Sequence, residues 1–325
     1  MLNEMKCVYA VYQERSFSKA AKKLFVSQPA LSNMIKRVEN KLGVPIFDRS
    51  TIPLTVTKEG EYYIRSIEQI MFVQRNVDSY FRDLDTLKTG ALRLGGSSYF
   101  CSFLFPSLIG KFHHKYPDVT IELLEGNVAE LKKGLAQEDL DLVLETGIQP
   151  EDPNVDNFFY RNEHLILAVP ASFAINDELK AYQLDPKDIM SKDFLGDCFP
   201  SVPLNAFRAC PFATMKPGND MYTRGLEICR NAGFSMNITM MFDQILTAMN
   251  VIEKSAIGAF FVRSDIVSYM SASRRIIYYK LDDPLTVRPI SFAAKKGRYL
   301  SKAVRAFIDI ARDELHESGE NPPVR

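Results

Sequence analysis

Gln28, Ser32, Asn33, Lys36 and Arg37 fall on one polar face behind a capping serine. The amides of Gln28 and Asn33 can each form paired hydrogen bonds with the edge of adenine in the major groove of DNA, and the Ser32 hydroxyl suits several bases. Ser18, Lys36 and Arg49 are of the types that hold phosphates, contacts that position a domain without reading sequence. A second chemistry is offered by Gly95-Gly96-Ser97-Ser98-Tyr99, a strand end running into a helix start. Unpaired amide hydrogens and the positive end of the helix dipole favour a carboxylate or other anion at such a place. Lys216-Pro217-Gly218-Asn219-Asp220 repeats that arrangement, with Asp220 opposing an anion. Taken alone, serines at a helix start are ordinarily caps.

Catalytic chemistry finds little support. The chain has no G-x-S-x-G, no G-x-G-x-x-G, no H-E-x-x-H and no phosphate-cradling G-x-x-x-x-G-K. His113-His114 lies on an amphipathic helix without a cysteine or further histidine at ligand spacing, so no catalytic residue, metal or cofactor is expected. Cys7, Cys101, Cys198, Cys210 and Cys229 form no C-x-x-C pair and read as reduced thiols. Redox sensing through Cys198 and Cys210 stands as an alternative. With neither a basic-then-apolar leader nor an apolar run of spanning length, a cytoplasmic protein with no membrane partner is expected. The sequon Asn237-Ile238-Thr239 is then chance.

The positioning elements follow from periodicity. Residues 2 to 14 read as a helix, and Ser16 or Ser18 caps a short second helix with Ala20, Ala21 and Leu24 inward. Ser27 caps a third with Leu31, Ile35, Val38 and Leu42 on one face, where Pro29 is tolerated in the first turn. Two short helices and a tight turn match a helix-turn-helix, whose second helix enters the major groove. Pro45 to Arg49 and Leu54 to Val56 form a small hairpin wing, and Thr57 caps a long helix to about Lys88. Tyr63, Ile70, Val77 and Leu84 give that helix a heptad-like stripe that wants a partner helix. Residues 1 to 60 hold ten basic against five acidic side chains in a chain of zero net charge, the asymmetry of a nucleic-acid-binding module on an acidic remainder.

After Gly90 strands and helices alternate. Strands are expected at 91–95, 120–125, 140–145, 165–169, 238–242 and 257–262, and helices at 100–116, 128–137, 220–231, 243–253 and 301–316, with a disordered tail after Glu317. This is an α/β region long enough for two small lobes.

The run from Glu14 to Ser32, with Glu39, Leu42-Gly43, Phe47-Asp48-Arg49 and Thr57-Lys58-Glu59-Gly60, closely resembles the DNA-binding domain of LysR-type transcriptional regulators. Leu104-Phe105-Pro106, Tyr116-Pro117-Asp118-Val119, Glu125-Gly126, Leu140-Asp141-Leu142-Val143 and Lys216-Pro217-Gly218 extend the resemblance along the chain. It implies an N-terminal all-α winged helix-turn-helix (1–58), a dimerisation linker helix (59–89), and a C-terminal α/β two-lobed domain like periplasmic binding proteins. Lobe I would comprise 90–163 and 269–325, and lobe II 164–268.

The implied partners are double-stranded promoter DNA, a small polar or anionic effector, and a second copy in a homodimer or homotetramer. The implied DNA contacts are Ser18, Ser27, Gln28, Pro29, Ser32, Asn33, Lys36 and Arg49; the effector contacts are Ser97, Ser98, Tyr99, Asn127, Thr146, Lys216 and Asn219. A constitutive repressor with a vestigial cleft is the other alternative. Asn33, where the family often has arginine, and Phe261-Val262-Arg263, in place of a proline-ended strand, depart from the pattern.

Overall fold

The computed structural model describes residues 2–82, 90–146, 152–269 and 275–317, in two units, 1–85 and 86–325. In the first unit, α1 (Leu2–Glu14), α2 (Phe17–Lys23) and α3 (Gln28–Leu42) bury Val8, Val11, Ala20, Ala21, Leu31 and Ile35 in a common core. The alanines let α2 approach its neighbours closely. The cap of α2 is Ser16, whose Oγ accepts from the Lys19 amide at 3.4 Å; that of α3 is Ser27, accepting from Ala30 at 3.3 Å. Gly43, at φ +75°, closes α3 in a conformation that an L side chain rarely adopts.

Strands β1 (Phe47–Asp48) and β2 (Thr55–Val56) pair antiparallel as the expected wing. Thr57 Oγ1 accepts from the Gly60 amide at 2.9 Å and opens α4 (Lys58–Arg82). Gly60 is required by close approach, because a Cβ there would lie 2.1 Å from the Ile46 carbonyl oxygen. Ile64 and Ile67 of α4 join the core, whereas Ile70, Val73, Val77 and Phe81 are exposed within the chain. The expected continuation to residue 88, with Leu84 and Leu87, lies outside the described residues, as does the tail after Glu317.

The second unit begins with β3 (Gly90–Gly96), a π-helical turn (Phe100–Leu104) running into α5 (Phe105–Lys115), β4 (Val119–Glu125), α6 (Val128–Gln137) and β5 (Leu142–Thr146). Then follow β6 (Val155–Pro170), α7 (Ile175–Glu178), β7 (Gln183–Leu184), α8 (Pro186–Met190), β8 (Pro211–Met215) and α9 (Asp220–Asn231). The remaining elements are β9 (Asn237–Phe242), α10 (Ile245–Ser255), β10 (Phe260–Arg263), β11 (Ile276–Lys280), β12 (Val287–Lys295) and α11 (Lys302–Glu317).

β3 lies parallel between β4 and β5, and β12 joins β5 antiparallel, which makes the sheet of lobe I. The first half of β6 pairs with β12; its second half, Leu165 to Pro170, pairs with β10 and β11 in lobe II. β6 is thus one continuous strand serving both lobes, longer than the apolar run at 165–169 suggests. Its first half is only partly buried and carries the polar residues Asp156, Asn157, Arg161, Asn162 and Glu163, so it lacks the apolar signal of a core strand. The lobe boundary expected at residue 269 also moves. β11 pairs with the lobe II half of β6 and with β7, so the return to lobe I is made at β12. Lobe II is completed by parallel β8 and β9 beneath α9 and α10. No described helix is long and apolar enough to cross a membrane, and no group of three or more metal-ligating side chains occurs among the described residues.

Candidate nucleic-acid interface and effector site

The start of α3 presents Gln28, Pro29, Asn33 and Lys36 to solvent, with Ser32 half-buried between them and the wing, and Ser18 exposed in the first turn of α2. The buried face of Leu31, Ile35 and Val38 sets this orientation, since a helix that seals three apolar residues against a core must turn its polar residues outward. Arg49 reaches back from the wing. Its Nη2 donates to Glu39 Oε2 at 2.9 Å, its Nη1 lies 3.5 Å from Ser32 Oγ, and its guanidinium stands 5.0 Å above the Phe17 ring. Glu39 Oε1 also accepts from the amides of Ile46 and Phe47, at 2.9 and 3.3 Å. One carboxylate therefore fixes the wing against α3 and holds Arg49 in place beside Ser32. Lys23 and Lys41 form ion pairs with Glu14 and Glu4 at the surface.

In lobe I, Ser98 and Tyr99 begin a helix that widens at Phe100–Leu104 before α5. Gly95 near the end of β3 is closely packed, with Leu140 Cδ1 2.6 Å and Leu131 Cδ2 2.9 Å from where a Cβ would sit, so a side chain there would have to displace those leucine ends. Ser97 and Ser98 are half-buried and accessible. Tyr99 is not: it is 3% exposed, its hydroxyl hydrogen-bonds Asp265 Oδ2 at 3.2 Å, and the Arg263 guanidinium stacks 4.4 Å over its ring. Burial and the nearby Asp265 carboxylate push the Tyr99 hydroxyl up, so it stays protonated as a structural link to lobe II.

Other expected effector residues are committed locally. Asn127 caps α6, accepting from Glu130 N at 3.0 Å while Glu130 Oε2 accepts from its amide at 2.9 Å. Asn219 caps α9, accepting from Met221 N at 2.9 Å. Lys216 Nζ donates to Asp243 Oδ2 at 2.6 Å, and Thr146 ends β5 half-buried. Ser27 likewise serves its helix as a cap. A cap can still present its backbone to a ligand, but Asn127 and Asn219 have less side-chain capacity to offer than their amide character suggests.

Sequence reasoning did not anticipate the charged knot where the lobes meet. Glu163 of β6, fully buried, accepts from Arg224 Nη1 of α9, from Arg263 Nε of β10 at 2.5 Å and from Arg288 Nε of β12 at 3.2 Å. Arg288 is also paired through both terminal nitrogens with the Asp220 carboxylate at 2.5 Å, and Arg161 Nη2 holds Asp265 at 2.5 Å. Burial alone would raise the Glu163 carboxyl, but the guanidiniums of Arg263, Arg224 and Arg288 outweigh it and hold it down to about 2. The one signal in the sequence was a charge set beside apolar runs, Glu163 just before 165–169 and Arg263 just after 257–262.

A cavity of about 610 Å³ lies elsewhere, in lobe I between α6, β5 and the start of β6, lined by Leu131, Leu135, Val143, Glu145 and Lys132 among others. None of the expected effector residues lines it. Burial raises the Cys210 thiol and disfavours its own thiolate, while Cys198, the other member of the alternative redox pair, is exposed.

A model of the LysR substrate binding domain matches residues 86–316, and one of the bacterial regulatory helix-turn-helix proteins of the lysR family matches residues 2–61. The HTH-type transcriptional regulator YcgK of Bacillus subtilis is 27% identical over 318 residues, covering 97% of this chain and 94% of its own. A probable RuBisCO transcriptional regulator of Synechocystis is 26% identical, covering 99% of this chain and 87% of its own. Among solved structures, a full-length OxyR variant from Pseudomonas aeruginosa superposes with a TM-score of 0.65 at 21% identity, over 96% of this chain and 94% of that one. Full-length CbnR in complex with its target DNA gives 0.53 at 18% identity, over 96% and 99%.

Proposed function

Since the chain belongs to the LysR family of bacterial transcriptional regulators, we propose that α3 reads promoter DNA through Gln28, Ser32 and Asn33, while Ser18, Lys36 and Arg49 hold the backbone. The observation that carries this assignment is the outward polar face of α3 beside a wing locked to it by Glu39. A rigid wing next to a groove-entering helix places Arg49 where it can meet phosphate or the minor groove. A dimer joined through α4 then sets two such helices on paired half-sites. The effector, a small polar or anionic metabolite, lies between Ser97-Ser98 of lobe I and Lys216 to Asn219 of lobe II. The two half-buried serines and the two helix starts support that location. A ligand that prefers one lobe arrangement over the other shifts the equilibrium between DNA-binding geometries by its difference in affinity.

Gel retardation with the DNA upstream of this protein's own gene tests the reading. Gln28→Ala weakens binding to specific DNA by about 1–3 kcal/mol and leaves random DNA little affected, whereas Lys36→Ala weakens both and flattens the salt dependence. Equal losses on the two DNAs for both variants would remove Gln28 as a reader.

A further inference from the structure

Three guanidiniums, those of Arg224, Arg263 and Arg288, meet two carboxylates, those of Glu163 and Asp220, where β6 and β12 pass between the lobes. One positive charge is left over within that knot, and a charge out of water calls for a partner. The imbalance has a definite address. Arg224 is 4% exposed; its Nε donates to the Leu285 carbonyl at 2.8 Å and its Nη1 to Glu163, while its buried Nη2 has no hydrogen-bond partner. A buried donor without a partner marks a place where an acceptor belongs.

The same guanidinium reaches back to the start of its own helix. Asp220, the first residue of α9, lies 3.7 Å from Arg224 Nη1, and the amides of that first turn add positive potential. Asp220 is also the one member of the knot that can leave cheaply. Its side chain is 42% exposed, whereas Glu163 is sealed.

We propose that the anionic group of the effector, a carboxylate or phosphate-like oxyanion, is received by Arg224 and Arg288, with Asp220 as the built-in carboxylate that it displaces. This rests on the reading of the chain as a ligand-controlled regulator, and it names the ligand class and the residues that select it. The exchange gives Arg224 Nη2 its acceptor and releases Asp220 to water. It also places the ligand on Arg288 at the start of β12, where the chain returns to lobe I. The knot continues into lobe I, because Arg263 stacks on Tyr99 and Tyr99 bonds Asp265. A ligand arriving at Arg288 is thereby coupled to the helix that starts at Ser98.

The test is a thermal-shift titration of the full-length protein with succinate and with inorganic phosphate at constant ionic strength. Asp220→Asn keeps the shape of the side chain and removes the competing charge, so its half-saturating concentration for at least one probe falls by about tenfold relative to wild type. Arg288→Met abolishes the response. Equal responses in wild type and Asp220→Asn, no response in either, or a response that survives Arg288→Met each overturn the proposal. Should Arg288→Met fail to fold, crystals of Asp220→Asn soaked in sodium bromide decide. An anomalous peak within hydrogen-bonding distance of Arg224 Nη2 supports the site, and a water there refutes it. Promoter retention by the wild-type protein is scored separately, so a protein that retains DNA but ignores both probes loses this site and keeps its assignment as a regulator.

Discussion

Glu163 shows how much one side chain can be asked to do. It is fully buried and joins β6 to α9, β10 and β12 through three arginines. Removing one partner of a buried ionic cluster leaves charges unpaired in a medium that solvates them poorly. Glu163→Gln therefore lowers the stability of residues 86–325 by about 3–5 kcal/mol, as read by chemical denaturation. The pH dependence has a definite sign. Because the folded carboxyl sits at about 2, below its unfolded value of about 4.3, its contribution is complete above the unfolded value and is lost as pH falls from there toward 2. Acid titration of the wild type shows this loss, and Glu163→Gln flattens it; an unchanged acid limb in the variant would mean that other carboxylates carry the transition.

At the scale of elements, α4 is the clearest case of a helix whose sequence exceeds what its own unit can use. Ile64 and Ile67 are buried, while Val73 is 60% and Phe81 62% exposed. An apolar stripe prolonged beyond the core that its first turns seal is the pattern of a coiled-coil partner helix. Replacing both Ile70 and Val77 by aspartate places charges in that seam and shifts sedimentation toward monomer. If the double variant associates as tightly as wild type, the dimer is held elsewhere. The wing is an element of the opposite kind, with two-residue strands that would be too short to persist alone. Glu39 and Thr57 supply the bonds that the strands cannot.

At the scale of the whole molecule, residues 1–85 and 86–325 each have a core of their own. Calorimetry is expected to resolve two transitions. Promoter DNA raises the first by the linkage of binding to folding, about 2.7 kcal/mol at a hundredfold excess over the dissociation constant, and Glu163→Gln lowers the second. A single transition that moves as one under both perturbations would contradict this division of stability.

Features that depend on near neighbours are legible in the order of residues alone. The capping serine at 27, a cap at 16 or 18, the alanines of α2, the inward face of α3, Gly43 after its last turn and the wing are all written within a few residues of where they act, and the resemblance to a known DNA-binding domain rests on that run; the structure chose Ser16 over Ser18. The first half of β6, the late return at β12 and the commitment of Tyr99 to Asp265 were decided only by tertiary structure. So was the arginine knot, whose bonds to Glu163 join residues 61, 100 and 125 positions away. Periodicity records which side of an element is dry, but not which charges from distant strands meet there. An isolated arginine or glutamate beside an apolar run looks the same whether it faces solvent or a buried partner, and only folding brings the partner within hydrogen-bonding distance.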